Sequence, residues 1–216
     1  MDAIFHSLKV KFSESKYEHE IFVATTPRKQ VEKNYGETSL NLQAMLQLDK
    51  PPKTIDCFDI SHFQSSSIVG SCIRFTKGMP DKHYFRRFKI KTLQEQNDYA
   101  ALQEIVSRRY RNQEEIPDLI VIDGGKGQLG AAQAVLPPHA ACISLAKREE
   151  RIFSPQLPDG IVLDIKDPVG QLLIALRDYA HHFAITYHQK RQSKALEASF
   201  IHIKKPNYQK KKIIVG

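Results

Sequence analysis

The sequence of 216 residues has few cysteines and no long apolar segment. Its three cysteines, Cys57, Cys72 and Cys142, include no C-x-x-C pair, so they indicate neither a disulfide framework nor a thiolate zinc site. We expect all three to be small core residues. No uninterrupted apolar run reaches the ~18–20 residues that a membrane-spanning helix needs, and the first ten residues do not resemble a secretion signal. A cytoplasmic protein without a membrane partner is therefore expected.

Wholesale disorder is also excluded, because 41% of the residues are hydrophobic and 26% are charged. Acidic residues are absent from positions 201–216, which carry five lysines of a chain whose net charge is +8. Such a tail is either a solvated end of the chain or a segment that binds phosphates by releasing counterions. Nucleic acid is the leading candidate partner.

The pattern of elements predicts three regions. Residues 1–50 are expected to form an appendage with a strand at 20–24 and a helix at 31–48, ended by the Pro51-Pro52 pair. Residues 51–200 are expected to form one α/β domain, followed by the basic tail at 201–216.

Within the central region, three runs rich in β-branched and aromatic residues predict consecutive antiparallel strands at 55–60, 68–75 and 84–90. A helix capped by Asn97, a buried strand at 119–122, a helix to residue 135 and a strand at 141–145 follow. After a loop, Asp167-Pro168 opens a long helix. The order β-β-β-α-β-α-β-α is typical of the ribonuclease H-like fold, a mixed five-stranded sheet flanked by helices.

Two aspartates at strand ends are the first chemical signal. Asp59 lies in the first strand of this block and Asp123 at the end of the fourth, and these strands are neighbours in a ribonuclease H-like sheet. Two adjacent carboxylates repel each other unless a divalent cation lies between them, and Mg²⁺ or Mn²⁺ bound there can activate water to attack a phosphodiester. Read alone, however, Asp123-Gly124-Gly125 is also a common turn sequence.

The glycines after Asp123 do not form a nucleotide-binding loop, because GGKG lacks the GxxxxGK[ST] spacing that encloses a phosphate. A helix beginning here with Lys126 would instead suit a backbone phosphate of DNA.

A series of motifs extends over about residues 51–195: DCFDISH at 56–62, YFRRF at 84–88, DYA at 98–100, RRY at 108–110, PDLIVIDGGKGQ at 117–128, LAKREE at 145–150 and RDYAHHFAITYH at 177–188. In this order and spacing, the motifs resemble the C-terminal endonuclease domain of UvrC-type subunits of the bacterial excinuclease. The resemblance implies a ribonuclease H-like fold and metal-dependent incision 5′ to a DNA lesion in nucleotide excision repair.

The same resemblance implies roles for individual residues. Asp59, Asp123 and His181 match the catalytic and metal-binding residues of the family, and Asp98 matches a further acid, which is expected to be a supporting catalytic carboxylate. The first turn of a helix also attracts an acid through the helix dipole, so Asp98 has two explanations. His182 replaces a residue that is usually polar or basic in the family.

We expect a track of basic side chains beside the acids to bind nucleic acid: Lys126, Arg86, Arg87, Arg108, Arg109 and Lys147. The alternative for each is a solvated surface or an ordinary ion pair.

The departures from the family concern recruitment. The chain is too short for the family's second nuclease domain, its docking segment for a UvrB-type helicase and its helix-hairpin-helix repeats, and the only glycine after Gly170 is Gly216. We therefore expect a short stand-alone homologue, in which a UvrB-type helicase or another repair protein is a less certain partner than DNA. Two alternatives to a DNA endonuclease stay open, a non-catalytic DNA-binding or repair-complex module and a nuclease that acts on RNA or a hybrid.

Overall fold

A computed structural model describes residues 28–63, 67–90, 97–111 and 116–203 of the chain. In chain order the elements are α1 (Arg28–Leu46), β1 (Thr54–Phe63), β2 (Ser67–Thr76), β3 (Met79–Pro80), a 3-10 helix (Lys82–Tyr84), β4 (Arg86–Lys89), α2 (Asp98–Tyr110), β5 (Leu119–Asp123), α3 (Lys126–Gln133), β6 (Cys142–Ala146), β7 (Arg151–Ser154), β8 (Leu157–Val162) and α4 (Pro168–Ile203). The predicted strand at 20–24 and the lysines from 204 onward lie outside the described residues.

The strands form one mixed sheet in the order β3-β2-β1-β5-β6-β7-β8, with β4 also paired to β2. The three central strands β1, β5 and β6 are parallel, and β2 is antiparallel to β1. All five strands predicted for the central region are present in this sheet, as β1, β2, β4, β5 and β6. The predicted ribonuclease H-like fold class is confirmed, but the strand number is not: the described residues form a sheet of eight strands instead of five, because β3 and the hairpin of β7 and β8 extend it.

A hairpin of β7 and β8 occupies the region that the sequence analysis assigned to a loop. Pro158 and Gly160 gave the segment the composition of a turn. In the sheet, β8 is an edge strand, which tolerates a proline because one row of its backbone groups needs no strand partner. The loop prediction is therefore wrong for this segment.

The third predicted strand is shorter than expected, because its first aromatic residues serve other contacts. Tyr84 ends the 3-10 helix and its ring lies 4.3 Å from the Arg74 guanidinium. Phe85 packs edge-on against Tyr179 and Phe183 of α4. Strand pairing begins only at Arg86.

The sheet separates two apolar cores. On one face α1 and α4 cover the sheet, and Leu42, Leu173 and Leu176 are fully buried there. On the other face α2 and α3 pack over Phe58 and Ile120. Side chains alternate between the faces along each strand, so Cys57 contacts the first core and Phe58 the second.

Local signals explain where α2 and α4 begin. The Asn97 side chain accepts a hydrogen bond from the backbone N–H of Ala100 at 3.1 Å, as predicted for an N-cap. Asp167 accepts from the N–H of Val169 at 3.0 Å, and Pro168 takes the first helical position. Among the described residues, no helix combines the length and the hydropathy that a membrane crossing requires.

Candidate active site

Asp59 and Asp123 lie side by side on neighbouring parallel strands. Phe58 of β1 pairs with Ile122 of β5, so the next residue of each strand is an aspartate. Because side chains alternate, both carboxylates belong to the sheet face that α4 covers. Asp59 is 4% exposed, and Asp123 is half-buried at the end of its strand. The adjacency expected from the fold is present.

The third member of the cluster comes from α4. His181 follows Ala180, which is fully buried against the sheet, and its Nδ1 atom lies 3.6 Å from an Asp59 oxygen. This separation is that of an ion pair rather than of a standard hydrogen bond. One ligand atom from each of Asp59, Asp123 and His181 lies within 4.8 Å of the other two. The structure thus brings together the three residues that the sequence analysis singled out.

Burial and repulsion dominate the electrostatics of the two acids. Loss of hydration and the neighbouring Asp59 carboxylate raise the pKa of Asp123 to about 7, although Arg177 opposes the rise. Interaction with Asp59 also raises the pKa of His181, against the opposing effects of burial and of the Lys147 charge. Without a cation, the cluster therefore holds protons at a pH where isolated carboxylates have lost them.

Two polar side chains that the sequence analysis did not identify support the aspartates. The Ser61 hydroxyl donates to Asp59 Oδ2 at 2.6 Å. The Gly125 N–H donates to the Gln128 side chain at 2.8 Å, which closes the turn directly after Asp123. Ser61 lies two residues after Asp59 on the same strand, so strand periodicity could have identified it.

A buried arginine completes the surroundings of Asp123. Arg177 is 4% exposed and donates to Glu150, with a longer contact of 3.3 Å to Asp178. Its charge lowers the pKa of Asp123 against the larger effect of burial. No role was expected for Arg177 from the sequence, because nothing in the local pattern shows which side chains face an arginine on a helix.

Two of the predicted basic residues lie on the same edge of the sheet as the cluster. Lys126 is the first residue of α3, which follows β5, and Lys147 directly follows β6. Both side chains are exposed. The carboxyl ends of parallel strands meet at one edge, so these lysines add positive charge beside Asp123 and His181.

The four predicted arginines have other partners. Arg86 donates to the carbonyls of His83 and Phe85, and Arg87 donates to the carbonyl of Phe183. Arg108 pairs with Glu104 four residues earlier, donates to the carbonyl of Lys89 and stacks over Phe88.

Arg109 does not fit the predicted role in nucleic-acid binding. It is 2% exposed, and its guanidinium lies 3.6 Å from Asp56, which also pairs with the buried Arg74. Tyr110 donates to the same carboxylate at 2.9 Å. Arg109 therefore belongs to a buried ionic cluster on the α2 side of the sheet.

The other singled-out residues lie as follows. Asp98 is half-buried in the first turn of α2 and is not part of the three-residue cluster found among the described residues. Its supporting role stays a prediction. His182 is exposed, and Cys57 is fully buried, as are Cys72 and Cys142. The expectation of three core cysteines is confirmed.

Comparison with known proteins identifies the family. Residues 43–185 match the model of the UvrC RNAse H endonuclease domain, which is about two thirds of the chain. The chain belongs to this family.

Curated members of the family are longer than this chain. UvrABC system protein C of Methanosarcina acetivorans is 43% identical in an alignment of 163 positions that covers 72% of this chain and 32% of that protein. The protein of the same name from Prosthecochloris aestuarii is 47% identical over 160 residues, 71% of this chain and 26% of that protein. The chain thus spans a third or less of these relatives. The crystal structure of human ENDOV aligns with a TM-score of 0.33 and 11% identity, over 53% of this chain and 59% of that one.

Proposed function

We propose that this chain is a divalent-metal-dependent DNA endonuclease of nucleotide excision repair that incises 5′ to a lesion. The observation that carries the proposal is the convergence of Asp59, Asp123 and His181 within 4.8 Å. Family membership supports nuclease chemistry, and the convergence supports the use of these three residues for it.

The donor set fits a divalent cation. Two carboxylates are oxygen ligands that suit Mg²⁺ and Mn²⁺, whereas an imidazole nitrogen suits a transition-metal ion such as Mn²⁺ better than Mg²⁺. The raised pKa of Asp123 reflects two buried carboxylates without a neutralising charge between them, which a cation would supply. Asp59, Asp123 and His181 would hold the ion. When bound, such an ion stabilises negative charge on a phosphodiester and lowers the pKa of a bound water.

The chain's own residues then have distinct tasks. Ser61 orients the Asp59 carboxylate, and Gln128 holds the turn that follows Asp123. Interaction with Asp59 raises the pKa of His181, and the proton that this interaction favours on the ring must leave before the ring can bind a cation. The His181 side chain is 40% exposed, so this proton can reach the solvent.

Phosphate binding is the proposed task of Lys126 and Lys147. Both are exposed beside the cluster and can contact backbone phosphates without reading the sequence. The proposed partner is DNA, and a UvrB-type helicase or another repair protein is the proposed means of delivery to a lesion.

A nicking assay tests the proposal. The full chain is incubated with a lesion-containing duplex, an intact duplex, single-stranded RNA and an RNA–DNA hybrid, with Mg²⁺, Mn²⁺ or EDTA. We expect metal-dependent nicking of DNA that Asp59→Asn, Asp123→Asn and His181→Ala each reduce by at least ~100-fold. Mapping of the cut on the lesion-containing duplex determines whether it lies 5′ to the lesion.

Matched controls separate chemistry from folding. Asp159→Asn changes an exposed aspartate of the edge strand β8, and His139→Ala changes an exposed histidine before β6, at the edge of the sheet opposite to the cluster. Both should cleave like the wild type. Wild-type activity in Asp59→Asn or Asp123→Asn would refute the metal-nuclease proposal. Exclusive cleavage of RNA or of the hybrid would refute DNA as the substrate and support a nuclease that acts on RNA or a hybrid. DNA binding without cleavage of any substrate would support a non-catalytic module.

A further inference from the structure

Three residues on neighbouring strands form a row that faces α4. Asp59 of β1 is registered opposite Ser71 of β2, and Ser71 is registered opposite Arg87 of β4. Directly paired residues on antiparallel strands project from the same face of a sheet. The row therefore extends the line of the active-site carboxylates toward β4.

Each member of this row contacts one short stretch of α4. Asp59 lies 3.6 Å from His181. The Ser71 hydroxyl donates to the carbonyl of Ala180 at 2.9 Å, and Arg87 donates through Nε and Nη2 to the carbonyl of Phe183 at 3.1 and 2.8 Å. The Arg87 guanidinium also stacks on the Phe183 ring, 3.6 Å from its centre. All three contacts fall within residues 180–183, which are about one turn of helix.

The contacts to Ala180 and Phe183 fix the position of this turn against the sheet and the rotation of α4 about its axis. Ser71 and Ala180 are both fully buried, so loss of the hydroxyl would remove a bond inside the sheet–helix interface. Arg87 lies on β4, beyond β2, and holds the end of the same turn through the carbonyl of Phe183. An α-helix turns by about 100° per residue, so a small rotation of α4 would carry His181 away from Asp59.

We propose that Ser71 and Arg87 are positioning residues of the active site, which dock residues 180–183 of α4 so that His181 faces Asp59. The inference rests on the proposed nuclease function for its catalytic consequence. It also changes the interpretation of Arg87, which the sequence analysis assigned to nucleic-acid binding. The guanidinium is engaged by α4, and its effect on catalysis is through His181.

The first experiment compares Ser71→Ala with Ser144→Ala in the full chain. Ser144 is also a fully buried serine of the sheet, on the opposite face, and its hydroxyl has no hydrogen-bond partner among the described residues. Loss of a group that orients metal ligands typically weakens metal binding about 10–100-fold. We expect Ser71→Ala to weaken Mn²⁺ binding in calorimetry by at least tenfold relative to Ser144→Ala.

Amide hydrogen exchange adds a readout that needs neither metal nor activity. Release of the helix turn should speed exchange at residues 181–184 by about tenfold or more in Ser71→Ala, and not in Ser144→Ala. Equal Mn²⁺ affinity and equal exchange in the two variants would overturn the proposal for Ser71.

The second experiment distinguishes a positioning role of Arg87 from a phosphate contact. Binding of Arg87→Ala and Arg87→Lys to duplex DNA is measured in EDTA over a range of salt concentrations. A lost phosphate contact flattens the slope of log K against log salt by about 0.9. A positioning residue leaves this slope unchanged, whereas kcat at saturating DNA and metal falls at least tenfold in both variants. Lysine does not rescue the rate, because it lacks the planar fork that spans the carbonyl and the ring.

The outcomes separate this inference from the proposed function. If the wild type cleaves no substrate, the nuclease proposal fails, while Mn²⁺ affinity and amide exchange still decide the role of Ser71. If the wild type cleaves DNA and Ser71→Ala matches Ser144→Ala in every readout, the positioning inference fails alone. If Arg87→Ala flattens the slope of log K against log salt by ~0.9 and leaves kcat unchanged, Arg87 contacts a DNA phosphate and is not a positioning residue.

Discussion

At pH 8 and without metal, the Asp123→Asn variant should be more stable than the wild type, although the same replacement is expected to abolish nuclease activity. The folded state raises the pKa of Asp123 from the ordinary 3.8 to about 7, chiefly by burial and by the charge of Asp59. Between these two values the folded chain holds a proton that the unfolded chain has released. The free energy of unfolding therefore falls as the pH rises through this window.

The size of the effect follows from the shift. About three pH units at ~1.4 kcal/mol each give a loss of about 4 kcal/mol by pH 8. Asparagine has no charge to lose, so Asp123→Asn escapes this penalty. His181 acts in the same direction in the wild type, because its raised pKa provides stability that is lost as the pH rises.

Urea denaturation in EDTA at pH 5 and pH 8 measures this difference. We expect the variant to be more stable than the wild type by about 1.6 kcal/mol at pH 5 and by up to about 4 kcal/mol at pH 8. Excess Mn²⁺ should reduce the advantage of the variant at pH 8 from about 4 to about 1.3 kcal/mol. A cation at 100 times its Kd stabilises the wild type by about 2.7 kcal/mol and should leave the variant unchanged.

Asp118 provides a control of opposite sign. Its carboxylate accepts hydrogen bonds from Lys53 and Thr54 and pairs with Lys50, which lowers its pKa to about 2 against the effect of partial burial. Asp118→Asn should therefore lose stability at neutral pH. The reasoning is refuted if Asp123→Asn is no more stable than the wild type at pH 8 in EDTA.

Three further predictions concern residues around the site and beneath the sheet. Asp56→Ala should destabilise the chain by about 3–5 kcal/mol in urea denaturation, because it leaves Arg74 and Arg109 buried without their carboxylate; a cost below about 1 kcal/mol would contradict the ionic cluster. Gln128→Ala should lower the nicking rate about tenfold or more at unchanged DNA affinity, since the turn after Asp123 loses its contact at Gly125; an unchanged rate would remove Gln128 from the site. The three cysteines are buried and burial raises the pKa of each thiol, so Ellman's reagent should modify them only after urea is added; rapid labelling of any one under native conditions would disprove this.

Local sequence signals were sufficient for the elements that determine the fold class. The apolar run at 119–122 predicted a strand buried on both faces, and β5 lies in the middle of the sheet between β1 and β6. Asn97 and Asp167 predicted two helix starts, because a capping side chain needs only backbone groups two or three residues away. The hairpin of β7 and β8 was missed because an edge strand is stabilised by pairing with its neighbour, and its own residue pattern does not show that pairing.

In the candidate site too, some residues were identified from the sequence, whereas the contacts that hold them were seen only in the structure. Motif resemblance was sufficient to name Asp59, Asp123 and His181, although 58 residues separate the second from the third in the chain. Helical spacing places Arg109 on the buried side of α2, with Ile105 and Val106, but only the tertiary structure showed the Asp56 carboxylate that pairs with its charge there. The contacts of Ser71 and Arg87 with α4 depend on strand register and on the rotation of a helix far away in the sequence. The sequence by itself determined which residues can perform the chemistry, whereas packing between distant elements decided how each of them is held, because those contacts leave no local periodicity.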